Sequence, residues 1–277
     1  MTTFGARLHA AMQERGPLCA GIDPHAGLLH DWGLTDDVAG LERFALGAAE
    51  ALAPRVAVVK PQSAFYERFG SRGVAVLERL VTACRDAGAL VLLDVKRGDI
   101  GSTSQAYADA YLDPSSSLAV DAITASPYLG FGSLTPMVDT ARRYDAGLFV
   151  LALTSNKEGP EVQEALTRDG SGETVADVVL DHLRRLNDGA EPLGSFGAVV
   201  GATIDGGGRA FDFGGPILAP GYGAQGGTVD DLRRIFGPAV GRVLPSTSRD
   251  LLRAGPDPVR LGEAADRLND HLRELAG

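Results

Sequence analysis

Along the chain, short runs of apolar residues alternate with longer stretches in which apolar positions recur every three or four residues. The short runs fall at residues 18–23, 56–60, 90–94, 119–124, 147–153, 198–203, 216–219 and 240–244. Each is near-continuously apolar and four to seven residues long, as expected of strands buried on both faces. Between them, Val74, Leu77, Leu80 and Val81 share one helical face within 73–87, as do Val175, Val178, Val179, Leu183 and Leu186 further on. Strands that alternate with amphipathic helices must run parallel, because each helix carries the chain back to the sheet edge from which it started.

Eight such units with no change of composition between them predict a closed (β/α)₈ barrel, the TIM-barrel class, as a single domain over residues 1–277. The segment 204–215 interrupts the pattern: Gly206-Gly207-Gly208 and the few residues to Phe213 leave little room for a regular helix. An open, doubly wound sheet is therefore the alternative architecture.

Composition narrows the function classes. A hydrophobic content of 44% is ample for a core, and the formal net charge of −10 comes without any block of Lys or Arg. These features argue against a nucleic-acid partner and against a membrane-surface role, so an anionic ligand needs a local pocket of positive charge. No run approaches the roughly 20 apolar residues of a membrane span, and residues 1–15 lack the apolar stretch of an export signal. Cys19 and Cys84 are isolated, without CxxC or metal-ligand spacing, which fits a reducing cytoplasmic compartment. The five histidines likewise show no metal spacing, and no metal site is expected.

Charge usage picks out one stretch. The chain has three lysines against twenty-three arginines, and one lysine lies in Asp94-Val95-Lys96-Arg97-Gly98-Asp99-Ile100-Gly101-Ser102-Thr103. Arginine is effectively never deprotonated, so a position that keeps lysine in an arginine-rich chain is a candidate for proton transfer. Asp94 and Lys96 are two residues apart at the end of the third run, where strand parity points both to the same side. Asp99 follows by three, and Gly98 and Gly101 free the backbone to turn.

In a parallel barrel, ligand groups collect at the C-terminal ends of the strands. The polar residues that end or follow the apolar runs lie there: Asp23 after the first, Lys60 after the second, Asp94 and Lys96 after the third, Ser126 after the fourth, Gln225 after the seventh and Arg249 after the eighth. The loop Pro220-Gly221-Tyr222-Gly223-Ala224-Gln225-Gly226-Gly227 offers free backbone N–H groups to an anion. Ser246-Thr247-Ser248-Arg249 reads as a helix N-terminus carrying a cation. Together they form a candidate phosphate site, whereas 206–208 is assigned to a surface loop. Lys157 reads as a solvated loop lysine, and His25 as structural or exposed.

These residues match a family pattern. Asp94-x-Lys96-x-x-Asp99-Ile100-x-x-Thr103, with Lys60-Pro61-Gln62 upstream and Pro220-Gly-x-Gly-x-Gln225-Gly-Gly downstream, resembles the orotidine 5′-phosphate decarboxylases, in particular their longer form. The resemblance runs from about Asp23 to Arg249. It implies a barrel enzyme that converts orotidine 5′-monophosphate to UMP and CO₂, the last step of UMP biosynthesis, without metal or cofactor. It implies that Lys60, Asp94, Lys96 and Asp99 form an alternating charged array at the reacting carbon. Asp23 would bind the ribose, Ser126 the pyrimidine edge, and Gln225 and Arg249 the 5′-phosphate. In that family, the residues at the Asp99 and Thr103 positions reach the neighbouring subunit's site, so the resemblance implies a homodimer with shared active sites.

Other classes share parts of the pattern. A Mg²⁺-dependent sugar-phosphate decarboxylase or aldolase-like synthase can carry DxKxxD, but is expected to place a carboxylate where this chain has Lys60. A Schiff-base aldolase needs a neutral lysine, which flanking aspartates disfavour. A non-catalytic phosphate-ligand sensor is the third class.

Overall fold

The computed structural model describes residues 2–168, 170–206, 208–223 and 226–276. Eight strands, β1 (Cys19–Ile22), β2 (Val58–Pro61), β3 (Leu90–Arg97), β4 (Ala122–Ala125), β5 (Gly147–Leu153), β6 (Phe196–Val200), β7 (Ile217–Pro220) and β8 (Val243–Thr247), pair in sequence order, all parallel. The ring closes where Cys19 and Ala20 of β1 pair with Ser246 and Thr247 of β8. Closure excludes the open doubly wound sheet, in which the first and last strands would lie apart.

Strand parity builds two apolar layers. Val58, Leu92, Phe149, Val199, Leu218 and Leu244 point into the barrel, and their neighbours Val59, Val91, Leu148, Val200, Ile217 and Val243 pack outward against the helices. The helix Phe4–Arg15 closes the N-terminal end of the barrel, inserting Phe4, Leu8 and Met12 into the inner layer, with Phe4 edge-on to Phe149 at 6.1 Å between ring centroids. Arg7 fixes that helix by a 2.5 Å ion pair with Asp121, whose other carboxylate oxygen accepts the Val91 N–H at 3.0 Å. The barrel is therefore plugged at one end, and only its C-terminal end can open to a ligand.

The helices Gly70–Asp86 and Val175–Leu186 contain the two amphipathic patterns. The second begins with a reciprocal cap in which Thr174 and Asp177 exchange hydrogen bonds. As the glycine run predicts, no helix forms between β6 and β7 among the described residues. Arg209 ties that connection to the cap by a 2.9 Å bond to Asp177.

Several strand limits differ from the apolar runs. β8 lies three residues later than the run at 240–244, because Gly237–Arg242 coils into a 3₁₀ turn around Pro238. Ser246 and Thr247 are consequently strand residues, and only the four-residue helical turn Arg249–Leu252 follows Ser248. β6 is placed two residues earlier than its run, and β4 starts at Ala122 rather than at residue 119. β3 continues past its apolar run to Arg97, since its last inward positions are polar and face the barrel mouth. No helix among the described residues is long and apolar enough to cross a membrane.

The N-terminal plug depends on close backbone approach at one glycine. A Cβ at position 5 would fall onto the carbonyl oxygens of Leu193 and Gly194, neither of which can move aside as a side chain could. Gly5→Ala is predicted to lower the unfolding free energy by roughly 2–3 kcal/mol. An unchanged urea midpoint would show that the plug does not need this contact.

Candidate active site

Two residues beyond the inner apolar layer, the inward positions change character. Val58 is followed by Lys60 and then Gln62, Leu92 by Asp94 and then Lys96, Ala122 by Thr124, and Leu244 by Ser246 and then Ser248. These residues, with Asp23 after β1, line a cavity of about 430 Å³ at the C-terminal end of the barrel. Its floor is apolar, made by Leu151, Val199 and Leu218, and its rim includes His25, Thr154, Ser155, Asn156, Tyr222 and Arg249. The same alternation that packs the core thus delivers the polar cluster.

Asp94 is the centre of that cluster. One carboxylate oxygen accepts from Lys60 Nζ at 3.1 Å, and the other from Lys96 Nζ at 2.6 Å and from the Thr124 hydroxyl at 2.8 Å. The Lys60 and Asp94 side chains are each 7% exposed, whereas that of Lys96 is 43% exposed and reaches into the cavity. Burial alone pushes the Lys60 ammonium toward losing its proton. The facing Asp94 carboxylate, aided by Asp23, outweighs burial and holds the group above the ordinary lysine range. Burial likewise disfavours the Asp94 carboxylate. The Lys60 and Lys96 charges, with hydrogen bonds from Lys96 and Thr124, override it and hold the carboxyl well below its usual range. Each Lys–Asp contact of about 3 Å is worth roughly 5 kcal/mol of attraction at an effective dielectric near 20, which sets against the desolvation of both ions.

The backbone around Lys96 is unusual. Its φ is +46°, the left-handed region that β-strand residues avoid, and the β3–β4 register shifts between Leu93 and Arg97. Thr124 holds this bulge, accepting the Lys96 N–H at 2.9 Å while donating to Asp94. Gln62 holds it from the other side. Its Nε2 donates to the Asp94 carbonyl at 3.1 Å, its Oε1 accepts from Lys96 Nζ at 3.3 Å, and its backbone N–H donates to Asp23 Oδ1 at 3.1 Å. Behind the bulge, Arg97 pairs with Glu67 and donates to Tyr111 Oη at 3.2 Å.

Of the residues singled out in the sequence, Asp23, Lys60, Asp94, Lys96 and Arg249 come together around the one cavity. Ser126 does not line it: the chain turns away at Ser126-Pro127, with the Ser126 N–H bound to the Arg97 carbonyl at 2.8 Å. Asp99 and Thr103 also stand outside this cavity. Asp99 accepts the Ile100 N–H at 2.7 Å, and Thr103 is exposed on the first turn of the helix Gly101–Leu112. Gln225 lies outside the described residues. Lys157 is exposed and away from the cavity, whereas His25 lines the rim, packed on Phe65 with ring centroids 4.2 Å apart. Burial, together with Arg249 and Arg68, holds the His25 imidazole below the ordinary histidine value against the pull of Asp23.

Sequence reasoning missed Gln62, Thr124 and the Thr154 to Asn156 segment after β5. Parity was the available signal for the first two, since each stands two residues beyond an inward-facing position. The β5 segment had no such signal, because the fifth apolar run ends without a charge.

A family model described as the orotidine 5′-phosphate decarboxylase / HUMPS family matches residues 16–265. The chain belongs to the orotidine 5′-phosphate decarboxylase / HUMPS family. Among its relatives, an orotidine 5′-phosphate decarboxylase of a Nocardioides species is 70% identical over 275 residues, covering 99% of this chain and 100% of that one. One from Salinispora tropica is 63% identical over 269 residues, covering 97% and 96%. A crystal structure from Streptomyces avermitilis superposes with a TM-score of 0.97 at 60% identity, covering 100% of this chain and 97% of that one. Leishmania donovani OMP decarboxylase superposes at 0.74 with 31% identity, covering 99% and 98%. The barrel and its phase along the chain are therefore those of the orotidine 5′-phosphate decarboxylase / HUMPS family.

Removal of the Asp94 charge leaves Lys60 buried without its counter-ion. Asp94→Asn is predicted to cost about 3–5 kcal/mol of stability, most of it recovered in Lys60→Met/Asp94→Leu, where no charge is buried. The sign with pH follows from the two shifts. The lowered Asp94 group contributes stability above its ordinary value of 3.8, lost as pH falls further. The raised Lys60 group contributes below its ordinary 10.5, lost as pH rises past its raised value. The gap between wild type and Asp94→Asn should therefore be widest in mildly acidic solution, narrowing in stronger acid as Asp94 is protonated and toward alkaline pH as the unpaired, buried Lys60 of the variant sheds its proton. A gap that stays constant as pH falls through the ordinary carboxylate range contradicts the assignment.

Proposed function

We infer that the chain decarboxylates orotidine 5′-monophosphate to UMP and CO₂, the last step of UMP biosynthesis. The observation that carries this reading is the Lys60–Asp94–Lys96 cluster, two ammonium groups sharing one carboxylate at the mouth of a barrel whose near relatives bear that enzyme's name.

Loss of CO₂ from C6 of the orotate ring leaves an electron pair on a vinyl carbon that cannot be delocalised into the ring, so the protein must face it with fixed positive charge. The Lys96 ammonium, held at the cavity by Asp94, Gln62 and the Thr124-anchored bulge, stands in that role. As the C6–carboxyl bond breaks, its electron pair stays on C6. Lys96 then gives a proton to C6, UMP and CO₂ leave, and solvent reprotonates the lysine. Asp94 keeps both lysines charged inside a site from which substrate expels water. Because the ammonium is already in place before reaction, little reorganisation is needed at the barrier.

The remaining subsites belong to the same reading. Asp23, which already accepts a hydrogen bond from the Gln62 backbone, faces the ribose. Arg249 lines the cavity, has no ion-pair partner among the described residues and faces the 5′-phosphate, for which the family resemblance also implies Gln225. The Arg249–Leu252 turn is too short to add a useful helix dipole, so this recognition rests on side chains and loop amides. The pyrimidine edge falls to Ser155 and Asn156 rather than Ser126, since the former line the cavity and the latter does not. Binding energy from the distant phosphate can drive loop closure and so organise the reacting end.

A homodimer with shared sites is part of the proposal. Asp99 and Thr103 lie outside their own chain's cavity, and the large apolar side chains of Ile100, Tyr128 and Leu129 are 62%, 76% and 52% exposed. Such exposed apolar side chains, with two polar residues that its own cavity does not use, fit a second copy of the chain whose site Asp99 and Thr103 complete. Cytoplasmic location accords with the two unpaired, buried cysteines. The Mg²⁺-dependent sugar-phosphate reading is not favoured, because Lys60 occupies the carboxylate position that chemistry needs and Asp94 is engaged by two lysines.

Purified protein should consume orotidine 5′-monophosphate in EDTA, followed by loss of orotate absorbance, and Lys96→Ala should lower kcat by roughly a thousandfold or more. A folded wild type that leaves the substrate untouched overturns the function. For the shared site, Lys96→Ala and Asp99→Asn subunits, each inactive alone, should recover roughly a quarter of wild-type activity when mixed, because half the dimers are hybrids with one intact site of two. No recovery after verified subunit exchange would return Asp99 to its own chain.

A further inference from the structure

Two hydroxyls at the end of β8 have no hydrogen-bond partner although both oxygens are buried: Thr247 Oγ1 and Ser248 Oγ. Thr247 as a residue is 5% exposed, and both residues line the cavity next to Arg249. A buried hydroxyl without a partner is costly, and such groups in a native fold call for an explanation. Each is held in place from a different side. Ser248 sits over β1 at Gly21, where a Cβ would come within 2.6 Å of the Ser248 Cβ, so glycine there makes the room. Thr247 faces the loop after β7, its hydroxyl lying 3.6 Å from where a Cβ on Gly223 would stand. The two residues therefore line the same cavity as Arg249, which has no ion-pair partner among the described residues, one packed toward β1 and one toward the loop after β7.

We propose that the Thr247 and Ser248 hydroxyls donate hydrogen bonds to the phosphate oxygens of the substrate, making them binding residues that set the preference for nucleotide over nucleoside. The inference rests on the phosphate end of the reading above and adds to it two residues that turn a single cation into a three-donor cradle. A hydroxyl suits this place because it donates to the anion without adding charge to the free site. Hydrogen bonds to a charged acceptor are also about twice as strong as neutral ones.

The test compares Thr247→Val and Ser248→Ala with wild type, using inhibition of orotidine 5′-monophosphate turnover by UMP and by uridine, and thermal unfolding without ligand. Each variant should weaken UMP inhibition roughly tenfold and leave uridine inhibition unchanged. Without ligand, Thr247→Val should melt at or above the wild-type temperature, because it replaces an unpartnered buried hydroxyl by a methyl of the same shape. Unchanged UMP inhibition, equal weakening of UMP and uridine, or a lowered melting temperature with no change in UMP inhibition each overturns the proposal. Arg249→Ala separates the two levels of the reading. If it lowers the preference for UMP while the hydroxyl variants do not, the phosphate site stands without them. If it too leaves the preference unchanged, the phosphate end itself is misplaced.

Discussion

Everything at the mouth of this barrel is arranged around one carboxylate. Asp94 is almost wholly buried, and it is tolerated there because two lysines and a threonine satisfy both its oxygens. Buried Lys60 in turn stays charged because Asp94 is ionised. Neither sign could be buried alone, since a single desolvated charge would shift toward its neutral form. The consequence is functional as well as structural: with two ammonium groups to one shared carboxylate, the cluster keeps an excess of positive charge that a buried one-to-one pair would not.

The barrel supplies the precision that this cluster needs. Its inner face is apolar up to Val58, Leu92 and Leu244, then polar two residues later, so the charged layer stands directly on a packed floor. The N-terminal helix plugs the opposite end, which leaves a single opening. A side chain rooted in a strand between two packed layers moves little. Lys96, the more exposed of the two lysines in the cavity, is additionally set on a bulge with positive φ, fixed by Thr124 and Gln62. That strain falls on the residue the cluster holds toward the cavity.

Much of this was legible in the sequence, for identifiable reasons. Strands buried on both faces write continuous apolar runs, and a charge at the end of such a run is conspicuous, which is why Asp23, Lys60, Asp94, Lys96 and Arg249 could be placed at one end of a barrel. Limits went astray where polar residues face the lumen, as in β3, or where Gly237-Pro238 reset the chain before β8. That shift turned Ser246 and Thr247 from an expected helix start into strand, and exposed the role open to the Thr247 and Ser248 hydroxyls. Uncharged contributors such as Gln62 and Thr124 look like any strand end until the register is known. Ser126, taken from its place after the fourth run and from the family resemblance, does not line the cavity of this chain, whereas Thr154, Ser155 and Asn156 after β5 do. Asp99 and Thr103 stand outside the cavity of their own chain, which strand parity alone did not indicate.

The claim on which the account turns is that Lys60 stays charged inside the protein because of Asp94. With only three lysines in the chain, ¹³Cε-lysine NMR gives three signals, one each for Lys60, Lys96 and the exposed Lys157. Titrated toward alkaline pH, the Lys60 signal should remain at its protonated position beyond the ordinary lysine value of 10.5, and should lose that protection in Asp94→Asn. A Lys60 signal already neutral between pH 7 and 9 in the wild type would contradict the account, because burial would then have won over the carboxylate.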